Sequence, residues 1–378
     1  MNLFDVYTCY NINLVNGKGA HLSDDKGNSY LDFYGGHGVI SIGHSHPHYM
    51  YRLENQLHCL GFYSNAVKND LQEKFACLLG KISGYETYNL FLCNSGAEAN
   101  ENALKVASFH NQKAKVIAIK GAFHGRTSGA LSITDNPKLS SEFNAKHNVV
   151  FVAMNDELAL KKELEKGDVS AVIIEGIQGV KGVVIPSNKF LKVAEKYCAE
   201  NNALLILDEI QSGYGRTGKF FAHQYAGIQP DIITTAKGMG NGFPIAGVLI
   251  SPKIKAWKGM LGTTFGGNHL SCAAATAVIE TIEEEKLIDN ANIIGDYLFF
   301  ELKDNKAIKA IRGKGLMIGI DLENMSEIRT KLLMEYGIFT GASGNETLRL
   351  LPPLSIGIKE ADQFISAFNQ ITQTVKNG

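Results

Sequence analysis

Two residues with chemically useful side chains stand at the ends of apolar runs. Lys237 lies in Ala236-Lys237-Gly238-Met239-Gly240-Asn241-Gly242, directly after Ile232-Ile233-Thr234-Thr235. A lysine that closes a strand and opens a glycine-rich loop is poorly explained as a solvated surface charge. Its amine can condense with a carbonyl to give a Schiff base, the bond that anchors pyridoxal phosphate. Asp208 closes Leu204-Leu205-Ile206-Leu207 in the same way. A carboxylate at a buried strand end needs a cationic partner. A protonated pyridine nitrogen would serve, and would make the ring a stronger electron sink.

Other segments could complete such a site, and each also has a plainer reading. Asn94-Ser95-Gly96-Ala97-Glu98 opens a helical pattern. The amides of Ser95, Gly96 and Ala97 could hold a phosphate, or Ser95 and Glu98 could simply form a capping box. Gly121-Ala122-Phe123-His124-Gly125-Arg126 offers an aromatic ring to stack on a flat cofactor and a guanidinium for a carboxylate; the plain reading is a core phenylalanine and a surface arginine. Glu175-Gly176-Ile177-Gln178-Gly179-Val180-Lys181-Gly182 is either a functional loop or an ordinary strand-to-helix connection. Thr263-Thr264-Phe265-Gly266-Gly267 is a further possible phosphate contact. His44-Ser45-His46-Pro47-His48, with His37 nearby, lacks carboxylate or cysteine partners at familiar zinc spacings. No metal is expected.

The elements that must position these residues follow from hydrophobic patterning. Runs at 115–119, 171–174, 204–207, 232–235 and 246–250 are almost continuously apolar, as in strands covered on both faces. Helical patterns at 97–112 and 189–201 fall between them, and another runs from Ser271 to Glu285. Alternation of this kind predicts an α/β fold with a mostly parallel central sheet, whose ligand lies beyond the carboxyl ends of the strands. After 285 the pattern changes to strands at 314–321 and 347–351 with helices at 325–336 and 359–376. The expected organisation is a large domain over 46–285. A smaller α+β domain is expected from 1–45 and 286–378 together.

Composition excludes little else. The chain has 378 residues, 45% hydrophobic and 20% charged, with a formal net charge of −1. That balance gives no electrostatic reason for nucleic-acid or membrane binding. The six cysteines are scattered, without a Cys-x-x-Cys pair, and are expected to be reduced, mostly core residues. With no leader-like pattern at Met1–Tyr7, a cytoplasmic location is expected.

Taken in order, these motifs resemble the class III (ornithine-type) aminotransferases, pyridoxal phosphate enzymes of fold type I. The resemblance also includes Tyr30-Leu31-Asp32-Phe33, Gly43-His44-Ser45-His46-Pro47 and Leu348-Arg349-Leu350-Leu351-Pro352-Pro353. Within that class the chain looks most like the acetylornithine and succinylornithine aminotransferases of arginine biosynthesis. The resemblance implies that Lys237 forms the Schiff base, Asp208 pairs with the ring nitrogen, Gln211 lies near the ring hydroxyl and Phe123 stacks on the ring. It implies phosphate contacts from Ser95, Gly96 and Ala97, and from Thr264 across a homodimer with shared active sites. Arg126, helped by Tyr7, would hold the α-carboxylate of the ornithine derivative, and Arg349 that of 2-oxoglutarate or glutamate.

One departure bears on substrate. The family's loop reads Glu-Pro-Ile-Gln-Gly-Glu-Gly-Gly, and its second glutamate masks the arginine matching Arg349. Here Val180 takes that place and Lys181 replaces the following glycine. An unmasked Arg349 would suit an anionic N-succinyl group, whereas neutral drift at Val180 would leave N-acetylornithine as substrate; both stay open. So do an ω-aminotransferase acting on ornithine or 4-aminobutyrate and an aminomutase of the same fold.

Overall fold

Three β-sheets organise the chain in the computed structural model, which describes residues 1–144 and 148–375. The first sheet begins with β1 (Leu14–Lys18), β2 (His21–Asp24) and β3 (Ser29–Asp32). The second contains β4 (Asn89–Cys93), β5 (Lys115–Ile119), β6 (Val149–Val152), β7 (Val169–Glu175), β8 (Leu204–Asp208), β9 (Ile232–Thr235) and β10 (Ala246–Ile250). The third holds β11 (Ile308–Lys314) and β12 (Met317–Leu322). Beyond these come β13 (Ile338–Phe339), β14 (Gly341–Ser343) and β15 (Thr347–Leu350).

The central sheet runs in the order β4-β10-β9-β8-β7-β5-β6. From β6 to β9 every neighbouring pair is parallel. β10 is inserted antiparallel to both β9 and β4, so β4 points the same way as β9. The sheet is mostly parallel, as expected, and the carboxyl ends of β4, β5, β7, β8 and β9 share one edge. Strands β5, β7, β8 and β9 are buried along their whole length. Their side chains alternate between two cores. Val116, Ala118, Ala171, Ile173, Leu204 and Ile206 face one, and Ile117, Ile119, Val172, Ile174, Leu205 and Leu207 face the other. That two-sided burial is why these runs lack polar alternation.

The outer strands β4 and β6 are partly exposed; both carry short apolar runs, Leu90-Phe91-Leu92-Cys93 and Val149-Val150-Phe151-Val152, that are not among the strands expected from the sequence. The expected strand at 314–321 is found as β12, but it starts only at Met317; Lys314 ends β11, which pairs with β12 as a hairpin. The chain reverses at Gly315, whose φ is +53°, and a Cβ there would stand 2.7 Å from the backbone of Thr217. The two ends of the chain meet in the first sheet, where Ile338 and Phe339 pair in parallel with Leu31 and Asp32. A third and larger core surrounds the helix His269–Glu284 and the terminal helix Ile358–Val375. Three of the six cysteines, Cys93, Cys198 and Cys272, are core residues. Cys9, Cys59 and Cys77 are exposed, which corrects the expectation that most would be buried.

Candidate active site

The five aligned strand ends open onto a cavity of about 310 Å³. Its lining includes Asn94 to Ala97 after β4, Phe123 and His124 after β5, and Glu175 at the end of β7. Asp208 at the end of β8 and Lys237 after β9 complete the set. Sequence placed Asp208 and Lys237 in one crevice, and both line this one.

Asp208 is held rigidly. Its Oδ2 accepts hydrogen bonds from Asn100 Nδ2 at 2.8 Å and pairs with His124 Nδ1 at 2.7 Å. Its Oδ1 accepts the Ile210 amide at 3.0 Å. Asn100, one helical turn beyond Gly96, also donates to the His124 carbonyl at 2.8 Å and accepts from Thr234 Oγ1 at 2.8 Å. Asn100, His124 and Thr234 are buried, so each bond there replaces hydration the groups have lost. Three partners fix the carboxyl plane while Oδ1 keeps acceptor capacity in reserve.

Lys237 starts a single 3₁₀ turn, Lys237–Met239, with φ +46°. A side chain costs of the order of 1 kcal/mol in this left-handed region. The loop is over-determined from the N-terminal segment. Asn241 Oδ1 accepts the amides of Ser41 and Ile42 at 2.8 and 3.1 Å. Ser41 Oγ donates to the Gly238 carbonyl at 2.8 Å, and Tyr49 does the same to Gly240 at 2.8 Å. Desolvation lowers the Lys237 amine below its ordinary value. Asp208 and Glu175 oppose that effect and the Arg349 charge adds to it. Nζ has no hydrogen-bond partner among the described residues, so the amine is left available for chemistry.

Glu175 is the neighbour of Asp208 across β7 and β8. It accepts the amides of Phe123 at 3.0 Å and Gly179 at 3.2 Å. Burial raises its carboxyl to about 7, with the Asp208 charge adding to the rise and His124 opposing it.

The Ser95 segment satisfies both of its readings. The capping box is present, with the Glu98 amide on Ser95 Oγ at 3.2 Å and the Ser95 amide on Glu98 Oε2 at 2.9 Å. Two amides at this helix start, those of Gly96 and Ala97, have no partner among the described residues and face the cavity edge. Gly96 also packs closely, since a Cβ there would stand 2.8 Å from Ile210 Cδ1 and push that side chain aside. Gln211 donates Nε2 to the His37 carbonyl at 2.9 Å, and its buried Oε1 is unpartnered. His124 Nε2 is likewise buried and unpartnered. A planar, phosphate-bearing aldehyde fits this donor set. Lys237 would take its carbonyl carbon, Asp208 a ring N–H, Gln211 a ring hydroxyl, and the helix start its phosphate.

Arg349, on β15, is buried behind the rim. Its Nε donates to the Ala342 carbonyl at 3.1 Å and Nη2 approaches the Tyr34 hydroxyl at 3.5 Å. Nη1 is buried without a partner, and among the described residues Arg349 enters no salt bridge. Val180 lines the cavity, and its carbonyl accepts from Ser343 Oγ. Val180 and Arg349 therefore touch adjacent residues of β14. Arg349 and the remaining expected contacts lie outside the cavity lining. Arg126, Lys181 and Thr264 are exposed, Tyr7 is 69% exposed, and the Lys181 stem packs over Gly121.

The histidine group near residue 46 disperses. His44 pairs with Asp32 at 2.8 Å, His46 with Glu285 at 2.8 Å and His48 with Glu280 at 2.6 Å. Sequence reasoning passed over Asn100, His124, Glu175, Asn241 and the pair Tyr34 and His37 as functional residues. Glu175 had left a signal, because it closes an apolar run just as Asp208 does. Asn100 had left another, as the polar residue one turn into the helix opened by Gly96.

Comparison with known proteins agrees with this geometry. The family model described as Aminotransferase class-III matches residues 6–372. The acetylornithine aminotransferase of Bacillus subtilis (strain 168) is 38% identical over 375 residues, covering 98% of this chain and 97% of that protein. The crystal structure of the ornithine aminotransferase from Toxoplasma gondii ME49 superposes with a TM-score of 0.91. It is 32% identical and covers 98% of this chain and 93% of its own. A second structure of the Toxoplasma gondii enzyme, reported with partial occupancy of PLP at its active site, gives a TM-score of 0.90 at 32% identity, with coverage of 98% and 93%. The α/β fold is that of the fold type I enzymes, and the chain belongs to the class III aminotransferases.

Proposed function

We propose that the protein is a pyridoxal phosphate-dependent N2-acylornithine 5-aminotransferase that passes the amino group to 2-oxoglutarate. The observation that carries this reading is an unpartnered Lys237 amine in the cavity that Asp208 also lines, within electrostatic reach of Arg349, whose buried Nη1 has no partner. The B. subtilis relative, named for acetylornithine, supports the amino donor, and such a step fits arginine biosynthesis. When bound, the cofactor supplies an electron sink that stabilises negative charge at the substrate carbon.

The chain's own residues do the rest. Asp208, held by Asn100, His124 and the Ile210 amide, keeps a ring N–H hydrogen-bonded and so favours the sink. Once the donor amine has displaced it, Lys237 Nζ would be the group to take a proton from the substrate carbon and deliver it two atoms away, across the nitrogen. Desolvation helps by lowering the amine toward the pH at which a general base works. The amides of Gly96 and Ala97 would anchor the cofactor's phosphate, and Phe123 would pack against its ring. Arg349 would receive a carboxylate of 2-oxoglutarate, and Arg126 with Tyr7 the α-carboxylate of the donor.

Val180 favours an anionic acyl group. With no carboxylate on Arg349, a succinyl carboxylate meets an available guanidinium and no repelling charge. Comparing kcat/KM for N-succinylornithine and N-acetylornithine tests this. A higher value for the succinyl compound is expected, and equality or a preference for acetyl would refute the assignment.

The proposed assembly is a homodimer with shared sites. Thr264 and Phe265 are exposed outside their own cavity, with the Phe265 ring 5.4 Å from that of exposed Phe62; Tyr51, Leu57 and Tyr63 are exposed apolar residues of the same stretch of chain as Phe62. A second copy of this chain would cover these residues and bring Thr264 to a phosphate.

A further inference from the structure

Glu175 is a buried carboxyl to which the proposed reaction gives no task. It ends β7 beside Asp208 on β8, and it lines the cavity together with Asp208, Phe123 and Gln211. Two carboxyls one strand apart in a buried wall are costly. Desolvation and the Asp208 charge both oppose ionisation of Glu175. Its hydrogen-bond partners among the described residues are two backbone amides, and what they hold offsets the cost.

The two amides stand on separate loops. Oε1 accepts the Phe123 amide at 3.0 Å, after β5, and Oε2 accepts the Gly179 amide at 3.2 Å, after β7. Phe123 lies between Gly121 at φ 80° and Gly125 at φ 138°, backbone that glycine adopts freely, so the loop does not set its own shape. The second loop closes on itself. Gln178 and Val184 exchange backbone hydrogen bonds at 2.9 and 3.0 Å, and the Gly179 carbonyl accepts the Gly182 amide at 3.1 Å. Glu175 ties that closed loop back to β7. Gln211 lies directly over Gly179, where a Cβ would overlap Gln211 Oε1. That oxygen is buried and unpartnered, while Nε2 donates to the His37 carbonyl. An ionised carboxyl accepts at both oxygens, whereas glutamine would turn an N–H2 group toward one of the two amides.

We propose that Glu175 is a positioning residue for the cofactor ring: one oxygen sets Phe123 against the ring face, and the other, through Gly179, sets Gln211 Oε1 at the ring hydroxyl. The inference rests on the reading of Phe123 and Gln211 as contacts of that ring.

Binding of pyridoxamine phosphate to the full chain freed of cofactor tests the proposal. This compound has no carbonyl to bond Lys237, so its affinity reports the surrounding contacts. Titrations at pH 8, above the Glu175 value of about 7, keep the carboxyl ionised. Glu175→Gln should weaken binding about five- to tenfold, as loss of one charge-assisted hydrogen bond implies. It should also change the circular dichroism that the bound ring acquires. In a chain already carrying Phe123→Ala and Gln211→Ala, the same substitution should cost less than about twofold. Gly179→Ala leaves the carboxylate in place and displaces Gln211. It should weaken binding by a similar factor in the parent, and not at all once Gln211 is alanine. Unchanged affinity or unchanged dichroism in Glu175→Gln would overturn the role of Glu175. So would a loss of full size in the chain lacking both contacts, or a Gly179→Ala effect that survives without Gln211. If Phe123→Ala with Gln211→Ala binds as tightly as the parent, or the parent does not bind at all, the ring contacts themselves are refuted and the proposal falls with them.

Discussion

Replacing Glu175 by glutamine should change how stability depends on pH. The Glu175 carboxyl is buried at the end of β7 and raised from 4.5 to about 7, first by desolvation and then by the Asp208 charge. A carboxyl raised in the folded state contributes stability that is fully present below its unfolded value and lost as pH rises through its folded value. Between pH 4.5 and 7 the rise corresponds to about 3 kcal/mol, a large share of the roughly 5–15 kcal/mol that keeps a protein folded. Glutamine keeps an acceptor for one of the two amides that Glu175 holds, those of Phe123 and Gly179. Losing the other costs about 1–3 kcal/mol, and that cost does not vary with pH. Urea unfolding of parent and Glu175→Gln at several pH values from 5 to 8 separates the two effects. The difference in stability between them should shift by about 3 kcal/mol in favour of the variant as pH rises. A difference that stays constant across that range would refute the assignment of Glu175 as a group that titrates near neutrality.

Asn100→Ala should cost about 3 kcal/mol or more, because it strips partners from buried Asp208, His124 and Thr234; thermal unfolding against the parent measures it. Gly96→Val should weaken cofactor binding at least about tenfold, since its side chain must displace Ile210 at the start of the helix; titration of the apoenzyme with pyridoxal phosphate reads this directly. Val180→Glu should raise KM for 2-oxoglutarate by about tenfold, by placing a competing carboxylate where β14 brings it near Arg349. Steady-state kinetics at fixed amino donor would show it, and an unchanged KM would count against Arg349 as receptor.

The central strands were legible because burial on both faces leaves no polar alternation, and the chemistry was legible because Asp208 and Lys237 interrupt that pattern at strand ends. What surrounds them was less so. Nothing local in the sequence says that Asn100 and His124 meet on one oxygen of Asp208, because they reach it from a helix and a loop brought together only by the sheet order. Asn241 stitches the Lys237 loop to Ser41 and Ile42, a contact across about half the chain. Nothing local marks Tyr34 and His37 either, until the left-handed backbone sets the His37 ring on the Tyr34 hydroxyl, which in turn approaches Arg349. Of the expected substrate and cofactor contacts that do not line the cavity, Arg349 is fixed on a strand, whereas Tyr7, Arg126, Lys181 and Thr264 lie on loops and a terminal segment. Packing fixes such positions less firmly than it fixes a strand end.

The account turns on Lys237 as the residue that binds the cofactor and moves the proton. Visible absorbance of the purified enzyme with pyridoxal phosphate, followed through alternate additions of N-succinylornithine and 2-oxoglutarate, tests that most directly. The parent should show the yellow band of a lysine-linked cofactor, lose it on adding the amino donor and regain it with the acceptor. Lys237→Ala should show no lysine-linked band and no turnover. Normal cycling in that variant would contradict the account.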